Sequence, residues 1–171
     1  ALEFIEQNHQ TPFFCYLSFN APHTPLQVPE KYYNMYKEID PSSGFEKDDH
    51  PFYPMSEKDK VDARKVYGMV SNIDDNIGMI LKRLRELKID KNTIVIFMTD
   101  NGPQQQRYLA GLRGLKSDVY RGGVRVPFFM RYPQKYKRDQ DIETNTAHID
   151  ILPTLADLCS AETPTDRKID G

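Results

Sequence analysis

Tryptophan is absent from the 171 residues, and cysteine occurs only twice, at Cys15 and Cys159. Two cysteines set no disulfide framework. Cys15 lies in an apolar run and Cys159 in a helical pattern, so both are expected to be buried apolar residues rather than reactive thiols. Long hydrophobic runs are also missing. Segments such as Phe13 to Phe19 and Ile94 to Met98 fall far short of the ~20 residues a membrane helix needs. The formal charge is only -2, with no basic tail or acidic block, which argues against a nucleic-acid partner held by charge. No Cys-x-x-Cys, His-Glu-x-x-His or Gly-x-Ser-x-Gly pattern is present, so zinc chemistry and a serine triad have no support. No Gly-x-Gly-x-x-Gly turn follows a first strand, which removes a dinucleotide-binding domain. No internal repeat or signal peptide is visible. The chain opens with Ala1 rather than Met, and both ends read as cuts.

What remains is an ordinary globular composition, 39% hydrophobic and 28% charged, in a length that suits one domain and one core. Residues 1–10 read as a short helix end. The aromatic and apolar run 13–19 reads as a buried strand, ended by Asn20-Ala21-Pro22-His23-Thr24-Pro25. Residues 20–56 form a long irregular stretch with a short helix expected near 29–36. Seven of the twelve prolines fall between Pro12 and Pro54. Loops this long in a compact domain are functional or disordered, and the aromatics Tyr32, Tyr33, Tyr36, Phe45, Phe52 and Tyr53 favour an ordered one.

Ser56 followed by Asp59 predicts a capping box. The helix after it carries Val66, Val70, Ile73, Ile77, Ile80, Leu84 and Leu87 in steps of three and four, which marks one buried face. Residues 93–99 form a continuous apolar strand, expected to be central and covered on both faces. A further strand is expected over 124–131, weakened by Pro127, and a helix over 148–160. Strand, helix and strand give an α/β reading. If strands 13–19 and 93–99 are parallel, their C-terminal ends share one sheet edge, the edge where open α/β sheets bind ligands. His23 and Asp100, 77 positions apart, would then face one cleft.

Four residues stand out by chemistry. Asp100 and Asn101 offer two hard oxygen donors suited to calcium or magnesium. Asp100-Asn101-Gly102 reads equally as an Asx turn closing a strand. His23 is framed by Pro22 and, after Thr24, by Pro25, which stiffen the backbone around one imidazole; a loop histidine without a role is the competing reading. Lys116 lies in Gly111-Leu112-Arg113-Gly114-Leu115-Lys116-Ser117, inside the stretch 102–123 that holds five of the nine glycines. Glycines beside a lysine let backbone and ammonium approach an anion. Leu115 before the lysine excludes a P-loop. Arg113, Arg121 and Arg125 add positive charge, and a solvated loop is the alternative.

Taken in order, these pieces resemble the sulfatase family, which shares the alkaline phosphatase fold. The matching segments are Phe14 to Leu26 with Pro22-His23-Thr24-Pro25, Tyr67-Gly68-Met69-Val70 through Asp74 and Gly78, and Asn92-Thr93 to Gly102. Then come Gly111-Leu112-Arg113-Gly114 with Lys116, Gly122-Gly123-Val124-Arg125-Val126-Pro127, and Asp150-Ile151-Leu152-Pro153-Thr154-Leu155. The resemblance implies part of an α/β/α sandwich with a largely parallel sheet, all 171 residues belonging to one catalytic domain. Within it, 20–56 would form the substrate loop region and 102–123 a glycine-rich loop. It implies Asp100 and Asn101 as calcium ligands, His23 as a contact to the sulfate ester assisting the leaving oxygen, and Lys116 as the neutralising cation. In the family a formylglycine, made from Cys or Ser in a Cys/Ser-x-Pro/Ala-x-Arg motif, attacks sulfur. No such motif occurs here, nor do the paired aspartates that complete the metal site, so both are expected before residue 1. The 171 residues alone are expected to be inactive, to expose apolar surface and to aggregate.

A sulfated carbohydrate is the expected partner, with Gln104-Gln105-Gln106-Arg107-Tyr108 and loop 26–56 at the pocket entrance. The expected setting is secreted, periplasmic or lysosomal. Arg121 departs from the family, whose members usually carry Glu before Gly-Gly. A phosphodiesterase or phosphonate hydrolase of the same superfamily, and a degenerate binding homologue, are the alternatives.

Overall fold

The structure is a computed structural model of the chain and describes residues 1–43 and 54–171. The expected aromatics Phe45, Phe52 and Tyr53 of the long loop lie outside the described residues. The chain divides into two compact units, Ala1–Tyr136 and Lys137–Gly171.

The first unit is organised by one long helix. α1 spans Leu2–Asn8, α2 Glu30–Tyr33 and α3 Glu57–Glu86. Ser56 caps α3 as its sequence predicts. The Asp59 amide donates to the Ser56 hydroxyl at 3.2 Å, and Ser56 returns its own amide to the Asp59 carboxylate at 2.9 Å. Arg83 and Arg85 stand in the last turn, where cations oppose the exposed carbonyls.

The buried face of α3 consists of Ala63, Val66, Gly68, Met69, Ile73 and Leu84. The expected stripe is therefore displaced rather than lost: Val70 is 50% exposed, whereas Met69 and Ala63 are buried. The cause is the neighbour. α2 lies against α3 at Gly68, where a Cβ would meet Val28 Cγ2 at 2.9 Å and the Tyr32 carbonyl at 3.1 Å. Only a residue without a side chain admits a backbone so close. Tyr36 Oη then bonds Ser71 Oγ at 2.6 Å, and the Tyr32 hydroxyl donates to Asp75 at 2.8 Å. On another side of α3, Ile5 of α1 is buried and Glu6 pairs with Arg83.

β1 (Val95–Met98) and β2 (Phe128–Arg131) form an antiparallel pair in which Ile96 faces Met130 and Phe97 faces Phe129. The Phe97 and Phe129 rings stack with centroids 6.3 Å apart, a cross-strand pair of the kind that stabilises sheets. Arg131 locks the end of this hairpin-like pair by donating to the Asp90 carbonyl at 3.1 Å and its carboxylate at 3.2 Å. The expected strand over 124–131 is shorter than its pattern, because Arg121–Val124 forms one helical turn, α4, and the ladder begins only after Pro127.

Residues 12–20 are not a strand. An extended segment becomes one only when its amides and carbonyls find a ladder, and none is formed there among the described residues. The parallel crossover between 13–19 and 93–99 is accordingly not formed, and β1 pairs antiparallel with β2 instead. Phe14 and Tyr16 are each 75% exposed, and Cys15 between them is exposed. Cys159 is exposed too. Both cysteines therefore depart from the expected burial: on the segment of Cys15 only Phe13 finds a ring partner, Phe4, and Cys159 ends a helix none of whose residues is buried.

In the second unit a 3-10 turn, His148–Asp150, leads into α5, Ile151–Cys159. Asp150 accepts the Ala147 amide at 2.6 Å, and Ser160 ends α5 in a left-handed conformation with φ 53°. No residue of this unit is fully buried.

Candidate active site

β1 delivers its C-terminal end directly to Asp100 and Asn101. The Asn101 side-chain amide donates to the Gly102 carbonyl at 2.8 Å, which assigns its nitrogen and leaves its oxygen to accept a hydrogen bond or ligate a cation. Asp100 is exposed. These are the oxygen types that calcium and magnesium select, so the pair fits a hard cation, as two members of a larger ligand set. Among the described residues no group of three or more His, Cys, Asp or Glu side chains converges.

Behind this strand end, three glycines remove the space a loop would otherwise need. A Cβ on Gly102 would lie 1.9 Å from the Gly122 carbonyl oxygen, one on Gly122 2.2 Å from that of Gly114, and one on Gly123 2.4 Å from that of Leu115. The close approach is sealed by hydrogen bonds. The Gly102 amide donates to the Gly123 carbonyl at 2.8 Å, the Gly122 amide to Arg113 at 2.7 Å, and the Lys116 amide to Pro103 at 2.8 Å. Gly114 has φ 97°, a value side chains disfavour. Asp118 accepts the Leu115 amide at 2.8 Å, and the Arg113 guanidinium lies 4.0 Å over the Tyr120 ring.

The structure thus brings the Lys116 segment against the segment following Asp100 and Asn101. Lys116 itself is exposed. Arg121, the residue that departs from the family pattern, begins α4 exposed and forms no ion pair among the described residues.

His23 is exposed in the turn after the extended segment. Its Nδ1 lies 2.8 Å from the Thr24 carbonyl oxygen, so Nδ1 carries the proton and Nε2 is the free nitrogen of the neutral ring. Among the described residues no side-chain hydrogen bond joins His23, Asp100, Asn101 and Lys116 to one another. A cavity of about 770 Å³ instead lies between their flanking residues: Thr24, Pro25 and Leu26 beside His23, Leu115 beside Lys116, and Gln104, Gln105 and Gln106 after Asn101.

The remaining wall belongs to the first turns of α3, with Lys58, Asp59, Asp62 and Lys65. Their sequence signal reads only as a capped, charged helix start, which is why their place at a cavity was not legible. Arg107 donates to Gln105 Oε1 at 3.4 Å. Burial pulls the Arg107 guanidinium below its ordinary value, with Tyr67 opposing, while burial pushes the Tyr67 phenol up, with Arg107 opposing.

The sequence profile of the sulfatase family matches residues 1–161. The chain is 30% identical over 184 residues to steryl-sulfatase from Homo sapiens, covering 100% of this chain and 27% of that protein. It is 29% identical over 164 residues to an endo-4-O-sulfatase from Bacteroides thetaiotaomicron, covering 94% of this chain and 31% of that one. Among solved structures, that of Ps i-CgsB in complex with k-i-k-neocarrahexaose superposes with a TM-score of 0.78 at 27% identity, over 99% of this chain and 34% of that chain. The architecture is that of a fragment of the α/β fold of alkaline-phosphatase-like hydrolases. The chain belongs to the sulfatase family, and it spans about a third or less of the length of these relatives.

Proposed function

We propose that this chain is part of an enzyme that hydrolyses a sulfate ester, and that the ester is carried by a carbohydrate. The reading rests above all on the backbone bond from Lys116 to Pro103. That bond holds the backbone of a lysine next to the segment that follows Asp100 and Asn101, and an ammonium with two hard oxygen donors is the set of groups an anionic ester requires. The resemblance adds formylglycine as the nucleophile and calcium as the ion. A calcium ion bound there supplies positive charge that polarises the sulfate oxygens.

The chain's own residues have the following parts. Asp100 and Asn101 Oδ1 hold the cation. Lys116 neutralises charge growing on the sulfate group. His23 Nε2, its tautomer set by the Thr24 carbonyl, contacts the bridging oxygen and, when protonated, gives the leaving alcohol its proton. A secreted, periplasmic or lysosomal setting belongs to the same reading. Among the described residues no helix is long and apolar enough to cross a membrane.

The test is turnover by the complete sulfatase domain carrying these residues. Sulfate release from 4-nitrophenyl sulfate and from sulfated oligosaccharides is expected to exceed phosphate release from bis(4-nitrophenyl) phosphate. Lys116→Ala is expected to lower kcat by about 10²- to 10³-fold. Preference for the phosphodiester would move the assignment to a phosphoryl hydrolase.

A further inference from the structure

The cavity beside the site has a wall that catalysis does not use. Its side chains are charged and amide-bearing: Lys58, Asp59, Asp62 and Lys65 from α3, and the three glutamines from the loop after Asn101. Its apolar part, formed by Pro25, Leu26 and Leu115 among others, makes up about half of the lining and suits the C–H face of a sugar ring. An apolar ring system seated there would strip water from four charged groups without replacing their hydrogen bonds, which is costly. A second anionic group would meet Asp59 and Asp62. A ring bearing several hydroxyls meets neither difficulty, since each hydroxyl both donates and accepts.

Two groups on this wall are placed as donors. Lys58 pairs with Asp62 and Asp59 is engaged by Ser56, whereas Lys65 has no ion-pair partner among the described residues. Gln105 is oriented by chemistry. Arginine only donates, so the Arg107 contact at 3.4 Å takes the Gln105 oxygen and leaves its NH₂ for another partner.

We propose that this cavity is a subsite for an uncharged, polyhydroxylated sugar ring attached to the sulfated position, with Lys65 and Gln105 as the hydroxyl-reading residues. Arg107 is a positioning residue acting through Gln105. The inference rests on the sulfatase reading for its place in the reaction, but sugar binding itself does not require turnover.

The experiment therefore has two arms on the complete sulfatase domain. Calorimetry measures binding of a panel of neutral, desulfated oligosaccharides, of galactan and chondroitin type, with a steroid alcohol as the apolar competitor. Kinetics measures the ratio of kcat/KM for the matching sulfated oligosaccharide to that for 4-nitrophenyl sulfate. At least one neutral sugar is expected to bind wild type more tightly than the steroid. Lys65→Met and Gln105→Leu, which lie on different elements, are each expected to weaken that binding and lower the kinetic ratio by about 10-fold, the worth of one good hydrogen bond. Arg107→Leu is expected to match Gln105→Leu and to add nothing in the double variant, with the loss falling on KM rather than kcat. Tighter steroid binding, no sugar binding, or sugar binding unchanged by both variants overturns the subsite. Absence of sulfate release with sugar binding still sensitive to Lys65 and Gln105 would instead overturn the sulfatase reading and leave the subsite standing.

Discussion

The amide of Lys116 donates to the carbonyl of Pro103 across 2.8 Å, and this single bond connects the lysine's loop to the residues directly after Asp100 and Asn101. Thirteen positions of chain are folded back on themselves to make it. Their return path is possible because Gly102, Gly122 and Gly123 leave no Cβ in the way.

Gly102→Ala is accordingly expected to destabilise the protein by at least the ~1–3 kcal/mol typical of overpacking, since the new methyl would fall 1.9 Å from a backbone oxygen that cannot turn aside. Gly78→Ala is the contrast. Nothing lies within 4 Å of its Cβ position on exposed α3, so the change is expected to stabilise by about 0.5–1 kcal/mol through helix propensity. Urea melts of the two variants check both signs.

Leu84→Ala removes the most deeply buried large side chain among the described residues, 2% exposed, and is expected to cost about 2–5 kcal/mol. Val70→Ala, on the same helix and in the same apparent stripe, is expected to change stability by less than about 0.5 kcal/mol. Equal losses in thermal denaturation would mean that the face of α3 is misassigned.

Ser56→Ala removes the hydroxyl half of the α3 cap and is expected to cost about 1 kcal/mol. It also changes the acid limb of stability. The Ser56 hydroxyl, followed by its amide, holds Asp59 below its ordinary value. A carboxylate with a depressed folded-state value contributes stability above its unfolded value of about 3.9, and loses it as pH falls through the folded one. The wild-type protein is therefore expected to lose more stability than Ser56→Ala between about pH 5 and pH 2. Parallel acid titrations followed by circular dichroism would reveal the difference.

The metal reading makes a prediction that does not depend on turnover. Calcium is expected to raise the melting temperature of the complete sulfatase domain by linkage. Asp100→Ala is expected to raise the calcium concentration needed for half that shift by about 10-fold or more, because it removes a charged ligand. An unchanged calcium dependence would exclude Asp100 from the cation site.

Much of this was legible because it depends on local rules. The Ser56–Asp59 cap, the length of α3 and the strand around Val95–Met98 all follow from neighbours within a few residues. What was not legible depends on distant partners. The period of α3 suggests a stripe through Val70, but only the approach of Tyr32 at Gly68 decides that the buried face runs through Met69. The run 13–19 has the composition of a buried strand, yet composition cannot supply a ladder. Cys15 is exposed for the same reason. At the site, the residue types of His23, Asp100, Asn101 and Lys116 suggested chemistry, while the cavity wall from Lys58 to Lys65 carried no signal beyond that of an ordinary helix start.

The glycine contact has a further consequence for anyone reshaping this protein by mutagenesis. The loop between Pro103 and Gly122 is clamped at its two ends by atoms that are missing rather than by side chains that grip. Libraries that vary residues 104–108 alter what the cavity displays while the clamp holds the lysine's segment in register. Libraries that touch Gly102, Gly122 or Gly123 reshuffle the register itself. What the cavity displays and what holds the loop in place are in this way separable along a stretch of about twenty residues.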